Sequence, residues 1–190
     1  MKIERRYTKA GESPYANIPF RTTKSEIRNP DGSIVFSLDN IEVPNQWSQV
    51  AADVLAQKYF RKAGVPARLK RVEENAVPSF LWRSVADAEA LAELPKDQRH
   101  VSEISAKQVF DRLAGAWAYW GWKGGYFDTE EDAQAFSDEL RFMLAMQMAA
   151  PNSPMVQYWP ALGLRRRRAE PGPFLCRLRQ RQDGEVEIGL

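Results

Sequence analysis

Ser105-Ala106-Lys107-Gln108, followed by Val109, Phe110, Leu113, Trp117 and Trp120, is the stretch whose reading decides the fold. A serine at a helix start can accept from free backbone N–H groups while a glutamine three residues on bonds back to the serine's own N–H, so a helix is predicted to begin there. The apolar residues that follow fall on one side of a 3.6-residue period, and that side must be buried. Gly121, Gly124 and Gly125 interrupt the pattern. Thr129 then precedes Glu130-Glu131-Asp132, an acidic first turn suited to the positive end of a second helix. Its inward positions are Ala133, Phe136, Leu140, Met143, Leu144 and Gln147, and it should stop near Ala150, because Pro151 disfavours helix in the residue before it. The expectation is a helical hairpin running into Asn152-Ser153-Pro154, the segment of greatest functional interest.

The chain has 190 residues, 44% of them hydrophobic, which is enough for one real core plus extensions and too little for two large domains. No apolar run approaches the roughly 18 residues that cross a bilayer, and Met1-Lys2-Ile3-Glu4-Arg5-Arg6 lacks a signal-peptide hydrophobic region, so a cytoplasmic protein without a membrane partner is expected. One cysteine, Cys176, closes no internal disulfide, and one histidine, His100, rules out a Cys/His zinc cluster of the usual spacing. The net charge of +2 hides an asymmetry. Residues 155 to 190 carry seven Arg, no Lys and four acids, whereas residues 1 to 154 carry 20 basic and 21 acidic side chains. Non-specific nucleic-acid affinity comes from clustered positive charge, so only the tail could supply it.

Residues 1 to 24 contain Gly11, Pro14 and Pro19 without clear periodicity and read as an extended arm. Ser25–Arg28 and Ser33–Phe36 flank Asn29-Pro30-Asp31-Gly32, where proline presets φ and glycine relieves the turn exit, predicting a β-hairpin. Trp47, Val50, Ala51, Val54, Leu55 and Tyr59 form an apolar stripe at helical spacing that ends at Gly64, with Pro66 beyond it. Arg61 and Lys62 are expected to complement that helix's dipole. Ser84 to Leu94 reads as a short helix capped by Ser84 and Asp87.

Several stretches invite a chemical reading, and each has a plainer one. Trp117, Tyr119, Trp120, Trp122, Tyr126 and Phe127 could stack bases, but Lys123 is the lone local cation and core packing is favoured. Gly121-Trp122-Lys123-Gly124-Gly125 lacks both the phosphate-loop pattern and a preceding strand, which favours a helix-to-helix turn. Glu130, Glu131 and Asp132 could bind a hard cation, yet acids in a first turn usually complement the dipole. His100 has no nearby nucleophile in sequence. Cys176 sits among arginines that would lower a thiol pKa, and Arg165-Arg166-Arg167-Arg168 could grip phosphate or be a solvated, disordered tail. Composition and spacing alone support a mainly α module with a small β-hairpin and name no reaction.

Six segments together resemble the N-terminal region of adenosylcobalamin (vitamin B12)-dependent, class II ribonucleotide reductases. They are Ser25-Glu26-Ile27-Arg28-Asn29-Pro30-Asp31-Gly32, Trp47-Ser48-Gln49-Val50-Ala51, residues 55 to 66 (LAQKYFRKAGVP), residues 105 to 114 (SAKQVFDRLA), residues 119 to 127 (YWGWKGGYF), and Ala149-Ala150-Pro151-Asn152-Ser153-Pro154. The resemblance implies a helical N-terminal domain, residues 25 to 154, leading into a ten-stranded α/β barrel. There the corrinoid generates a cysteine thiyl radical and a ribonucleoside diphosphate is reduced to the deoxyribonucleotide. It also implies that Asn152-Ser153-Pro154 enters the barrel and that Ser153, with Asn152 beside it, holds the substrate phosphate; a hydroxyl with turn N–H groups suits that task.

After Pro154 the chain departs from the family pattern. Reading Met155 to Arg165 one base later permits Trp-Phe-Asn-Thr-Gly-Leu-His-Trp-Ala-Tyr-Gly, the family's continuation, so the Arg-rich tail, residues 155 to 190, is read as a frameshift product. The expectation is then a chain truncated before its barrel, without the catalytic cysteines or the cofactor pocket, and inactive by itself. A helix face built to cover the barrel would be an exposed apolar patch open to self-association. The alternative is a non-enzymatic helical binding module whose basic tail contacts nucleic acid or another acidic partner, with no specific nucleic acid expected.

Overall fold

A computed structural model describes residues 1–151, 178–180 and 186–188. Strand β1 (Phe20–Arg28) pairs antiparallel with β2 (Ile34–Pro44), from Phe20 opposite Pro44 to Arg28 opposite Ile34. Between them Asp31 accepts the Ser33 N–H at 2.8 Å, and Gly32 takes φ 84°, which a side chain would resist. The hairpin is the predicted one, but it runs much further towards the core. A bulge places Asp39 and Asn40 opposite Lys24, with Asn40 at φ 58°, and the alternation resumes beyond it so that Ile41 and Val43 are fully buried.

Helix α1 (Gln49–Val54) is capped by Ser48, whose oxygen accepts the Ala51 N–H, and passes into a π-helical turn, Leu55–Tyr59. The sequence stripe is only partly correct here. Val50 is 72% and Val54 45% exposed, while Ala52, Leu55, Ala56 and Phe60 enter the core. Small alanines, Ala52 and Ala56, take the core-facing positions with Leu55, while Gln49 stays exposed and donates to the Lys24 carbonyl on β1 at 2.8 Å. The helix also stops at Tyr59, well short of Gly64, because Phe60 is extended.

Three short strand pairs and a short helix complete the secondary structure between and beyond these elements among the described residues. β3 (Val65–Pro66) pairs with β6 (His100–Val101), and β4 (Leu69–Arg71) with β5 (Ser84–Ala86). Ser84 therefore starts a strand, and Asp87 alone caps α2 (Ala88–Ala92). β7 (Leu178–Gln180) and β8 (Val186–Ile188) form a further antiparallel pair.

Helix α3 (Ala106–Lys123) starts as read. Ser105 accepts the Lys107 N–H, and the Gln108 side chain accepts from Ser105 and Ile104 at 3.0 and 2.9 Å. Val109, Phe110 and Leu113 are buried against Trp47, Ile41 and Leu144, whereas Trp120 is 40% exposed. Helix α4 (Glu130–Ala145) packs on α3 and ends before Ala150, so Gln147 lies outside it and is exposed. The mainly α expectation is overturned. Among the described residues four two-stranded antiparallel sheets accompany the helices, only α3 and α4 exceed two turns, and the fully buried core residues Ile41 and Val43 come from a strand. No barrel is present among those residues.

The N-terminal arm lies along α4. Ile3 N–H donates to Asp132 at 2.8 Å, Arg5 bridges Glu131 and Asp138 at 2.9 Å each, and Glu139 accepts from the Tyr7 and Thr8 backbones and the Thr8 hydroxyl. The Tyr7 ring stacks on Phe142 at 5.1 Å. The Thr129 hydroxyl and Ile3 N–H hold the Asp132 carboxyl below its ordinary range. Burial pushes Glu139 up, but the Thr8 hydroxyl and the arm's N–H groups outweigh it and leave that carboxyl low as well.

Groups whose folded pKa is depressed contribute stability that is complete above the ordinary carboxylate range, about 4, and is lost as pH falls through the lowered values. Amide protection factors at Tyr7 and Thr8 should therefore fall on acidification below about pH 4 while Phe110 and Leu113 on α3 stay protected; equal loss at both would refute an arm held by these carboxylates. A second outcome concerns Gly121, where an added Cβ would lie 2.5 Å from Phe127 Cε2, a ring itself packed at 5.4 Å on Phe136. Gly121→Ala should cost about 1–3 kcal/mol in urea unfolding.

Candidate functional site

The end of α4 is the last described structure before Asn152-Ser153, and it is held from below. The Trp47 indole N–H donates to the Ala145 carbonyl at 2.7 Å in a buried setting, and Gln46 Nε2 reaches the same oxygen at 3.4 Å. Trp47 in turn packs on Phe110 at 5.8 Å. This joins the β2–α1 corner, α3 and α4 at one point. Beyond it Gln147 adopts φ 58°, and the N–H groups of Gln147 and Met148 turn back to Leu144 and Met143 at 3.2 and 2.8 Å. A left-handed residue closing a helix satisfies its last carbonyls and redirects the chain. Asn152 and Ser153 themselves lie outside the described residues, as do Cys176 and Arg165 to Arg168.

The aromatic stretch serves to pin a loop. Tyr119 donates to Glu74 at 2.9 Å, Trp122 Nε1 donates to the Ala76 carbonyl at 2.7 Å, and Lys123, the expected cation of a stacking platform, pairs with Glu74 at 3.1 Å. The hydrogen bonds of Tyr119 and Lys123 hold Glu74 below its ordinary range. Gly124 caps α3 and Gly125 takes φ 68°, so this segment is the turn between α3 and α4. Of the acidic triplet, Asp132 and Glu131 fasten the arm. His100 is exposed on β6 opposite Pro66.

Sequence reasoning missed Glu103. It is 3% exposed, and it accepts from Arg112 Nε at 3.1 Å and from the Arg61 backbone N–H at 2.9 Å, while Arg112 also donates to the Tyr59 carbonyl at 2.7 Å. Arg61 thus meets Glu103 through its backbone, and its side chain is half-buried beside Arg112; burial and that neighbouring cation lower its pKa, with Glu103 opposing. A buried pair is tolerated only when its remaining hydrogen bonds are made, and no spacing rule in the sequence connects residues 61, 103 and 112. Next to this pair opens a cleft of about 450 Å³, continuous past Arg71, Phe80 and Arg141 with one of about 580 Å³.

The corrinoid that the resemblance implies finds no fit among these residues. Neither of these two clefts is lined by a histidine or cysteine that could ligate the cobalt, and no group of three or more His, Cys, Asp or Glu among the described residues is arranged to hold a metal ion. Among the described residues no helix is long and apolar enough to cross a membrane.

Residues 21–147 match the family described as class II vitamin B12-dependent ribonucleotide reductase. The vitamin B12-dependent ribonucleotide reductase of Bradyrhizobium diazoefficiens is 77% identical over 154 residues, and that of Agrobacterium fabrum 71% over the same length, each match covering 81% of this chain. The Streptomyces coelicolor enzyme is 27% identical over 157 residues. The chain spans about 12% of the length of the first two relatives.

The clamp at Ala145 is open to test. Trp47→Phe keeps the ring contact with Phe110 and removes the indole N–H, leaving a buried carbonyl short of its donor. It should lower urea-unfolding stability by about 1–3 kcal/mol and weaken amide protection at Met146 to Ala149 more than at the start of α4.

Proposed function

This chain belongs to the class II vitamin B12-dependent ribonucleotide reductase family, and we propose that it acts as the N-terminal, non-catalytic module of such an enzyme, carrying the segment that meets the substrate. On this reading the whole enzyme reduces ribonucleoside diphosphates to deoxyribonucleotides in the cytoplasm by a thiyl radical mechanism with adenosylcobalamin. The described residues hold a fixed exit for the chain at the end of α4. Asn152 and Ser153 then hold the substrate phosphate, Ser153 through its hydroxyl. The observation that carries this reading is the Trp47–Ala145 clamp, which braces the helix end shortly before those two residues.

Support also comes from the exposed apolar side chains on the hairpin and α1. Ile34, Val35 and Val50 are 52, 60 and 72% exposed, as befits faces that pack against the remainder of a larger protein. The chain by itself, on this proposal, lacks turnover.

Two measurements test it. Purified chain supplied with adenosylcobalamin, a dithiol and a ribonucleoside diphosphate should yield no deoxyribonucleotide, and product formation would sink the non-catalytic reading. In the full-length Bradyrhizobium diazoefficiens enzyme, alanine at the position matching Ser153 should raise KM at least about tenfold, since a hydrogen bond to a charged group is worth about 1.5–3 kcal/mol, with a smaller change in kcat. An unchanged KM would remove Ser153 from phosphate binding.

A further inference from the structure

The surface where the chain leaves α4 carries no charge. Residues 43 to 52 (VPNQWSQVAA) make the corner between β2 and α1, and residues 142 to 151 (FMLAMQMAAP) make the end of α4 and the exit beyond it; none of them is Asp, Glu, Lys or Arg. At the chain's 27% charged content about five of these positions would be charged, and such depletion marks the centre of protein interfaces. The two segments are neighbours in space. Trp47 donates to the Ala145 carbonyl, and Gln46 Nε2 lies 3.1 Å from Met146 Sδ.

Large apolar side chains stand in water on both sides of this junction. Met146 is 39% and Met148 50% exposed, and Val50 and Val54, four residues apart and so on one face of α1, are the exposed pair described above. Asn45, Gln46, Ser48 and Gln147 are exposed and uncharged as well. Three of the chain's five methionines, Met143, Met146 and Met148, fall within six positions, and a flexible thioether adapts readily to a facing surface. The course of the chain indicates what covers this face. The match spans about 12% of the length of the first two relatives, so most of their sequence follows the point at which this chain leaves α4, and it has to start beside these residues. A body tethered there has a high effective concentration at the face, an advantage that no separate partner shares.

We propose that this charge-free face is the docking surface for the downstream remainder of the same polypeptide in the full-length enzyme, an apolar and uncharged surface that packs over Val50, Val54, Met146 and Met148. The inference rests on reading the chain as the N-terminal module of a larger enzyme, and it adds where the body of that enzyme sits: over the α1 corner and the end of α4.

The test compares thiol labelling in the 190-residue chain and in the full-length Bradyrhizobium diazoefficiens enzyme. Val50→Cys and Met148→Cys, both at exposed residues, are made in the chain together with Glu89→Cys on α2 as a charged-surface reference. Cysteine is placed at the matching positions of the enzyme, and maleimide attachment is followed peptide by peptide by mass spectrometry. Relative to the reference, the cysteines at positions 50 and 148 should label at least about tenfold more slowly in the enzyme than in the chain, as thiols reached only by local opening do. Equal relative rates in the two proteins would overturn the proposal while leaving the non-catalytic reading in place, since that reading is judged by turnover. Labelling that slows in the chain as its own concentration rises, with no slowing in the enzyme, would make a second copy the occupant and overturn the proposal as well.

Discussion

A carboxyl group removed from water has to be given back the hydrogen bonds it has lost. Four buried acids impose that condition here. Asp132, Asp138 and Glu139 face the inner side of α4, and Glu103 sits ahead of α3. Each accepts from a distant part of the chain: Ile3, Arg5, Tyr7 and Thr8 serve the first three and the Arg61 backbone the last, which Arg112 on the following helix also bonds. The arm, the π turn and the two long helices are thereby tied together through polar contacts that no hydrophobic pattern would reveal. The apolar core of Ile41, Val43, Trp47, Phe110 and Leu113 supplies the burial, and the acids specify which segments may cover it.

What was legible in the sequence was local. Ser105 and Gln108 announced α3 because a capping box is satisfied within four residues, and Asn29-Pro30-Asp31-Gly32 announced the hairpin because proline and glycine restrict the backbone where they stand. The stripe on α1 was misread at Val50 and Val54 because the small residues Ala52 and Ala56 take the core-facing positions there, a choice set by packing against distant parts of the chain. The strand content was underestimated for a similar reason. The bulge at Asn40 breaks the two-residue alternation just before Ile41 and Val43, hiding the part of β2 that matters most to the core.

The site divides in the same way. The segment leading to Asn152 and Ser153 stood out through its resemblance to a family, while the brace beneath it, Trp47 on Ala145, joins residues almost a hundred positions apart and leaves no signature in either neighbourhood. The cleft beside Glu103 was likewise invisible, since Arg61 read as an ordinary cation near a helix end and nothing local links it to Glu103 or Arg112. Proximity created by folding, more than residue type, gives these side chains their chemistry.

The hairpin's two irregularities have a bearing on solubility. A two-stranded ribbon offers unpaired N–H and C=O groups on both flanks, and with Ile34 and Val35 in water at its tip it is the sort of template on which foreign strands add. The extra residues at Val35 and at Asp39–Asn40 interrupt the ladder at two separate places and increase its twist. No long straight flank remains for another ribbon to lie against, so the same kinks that bend β2 towards the core also guard the chain against fibrous stacking.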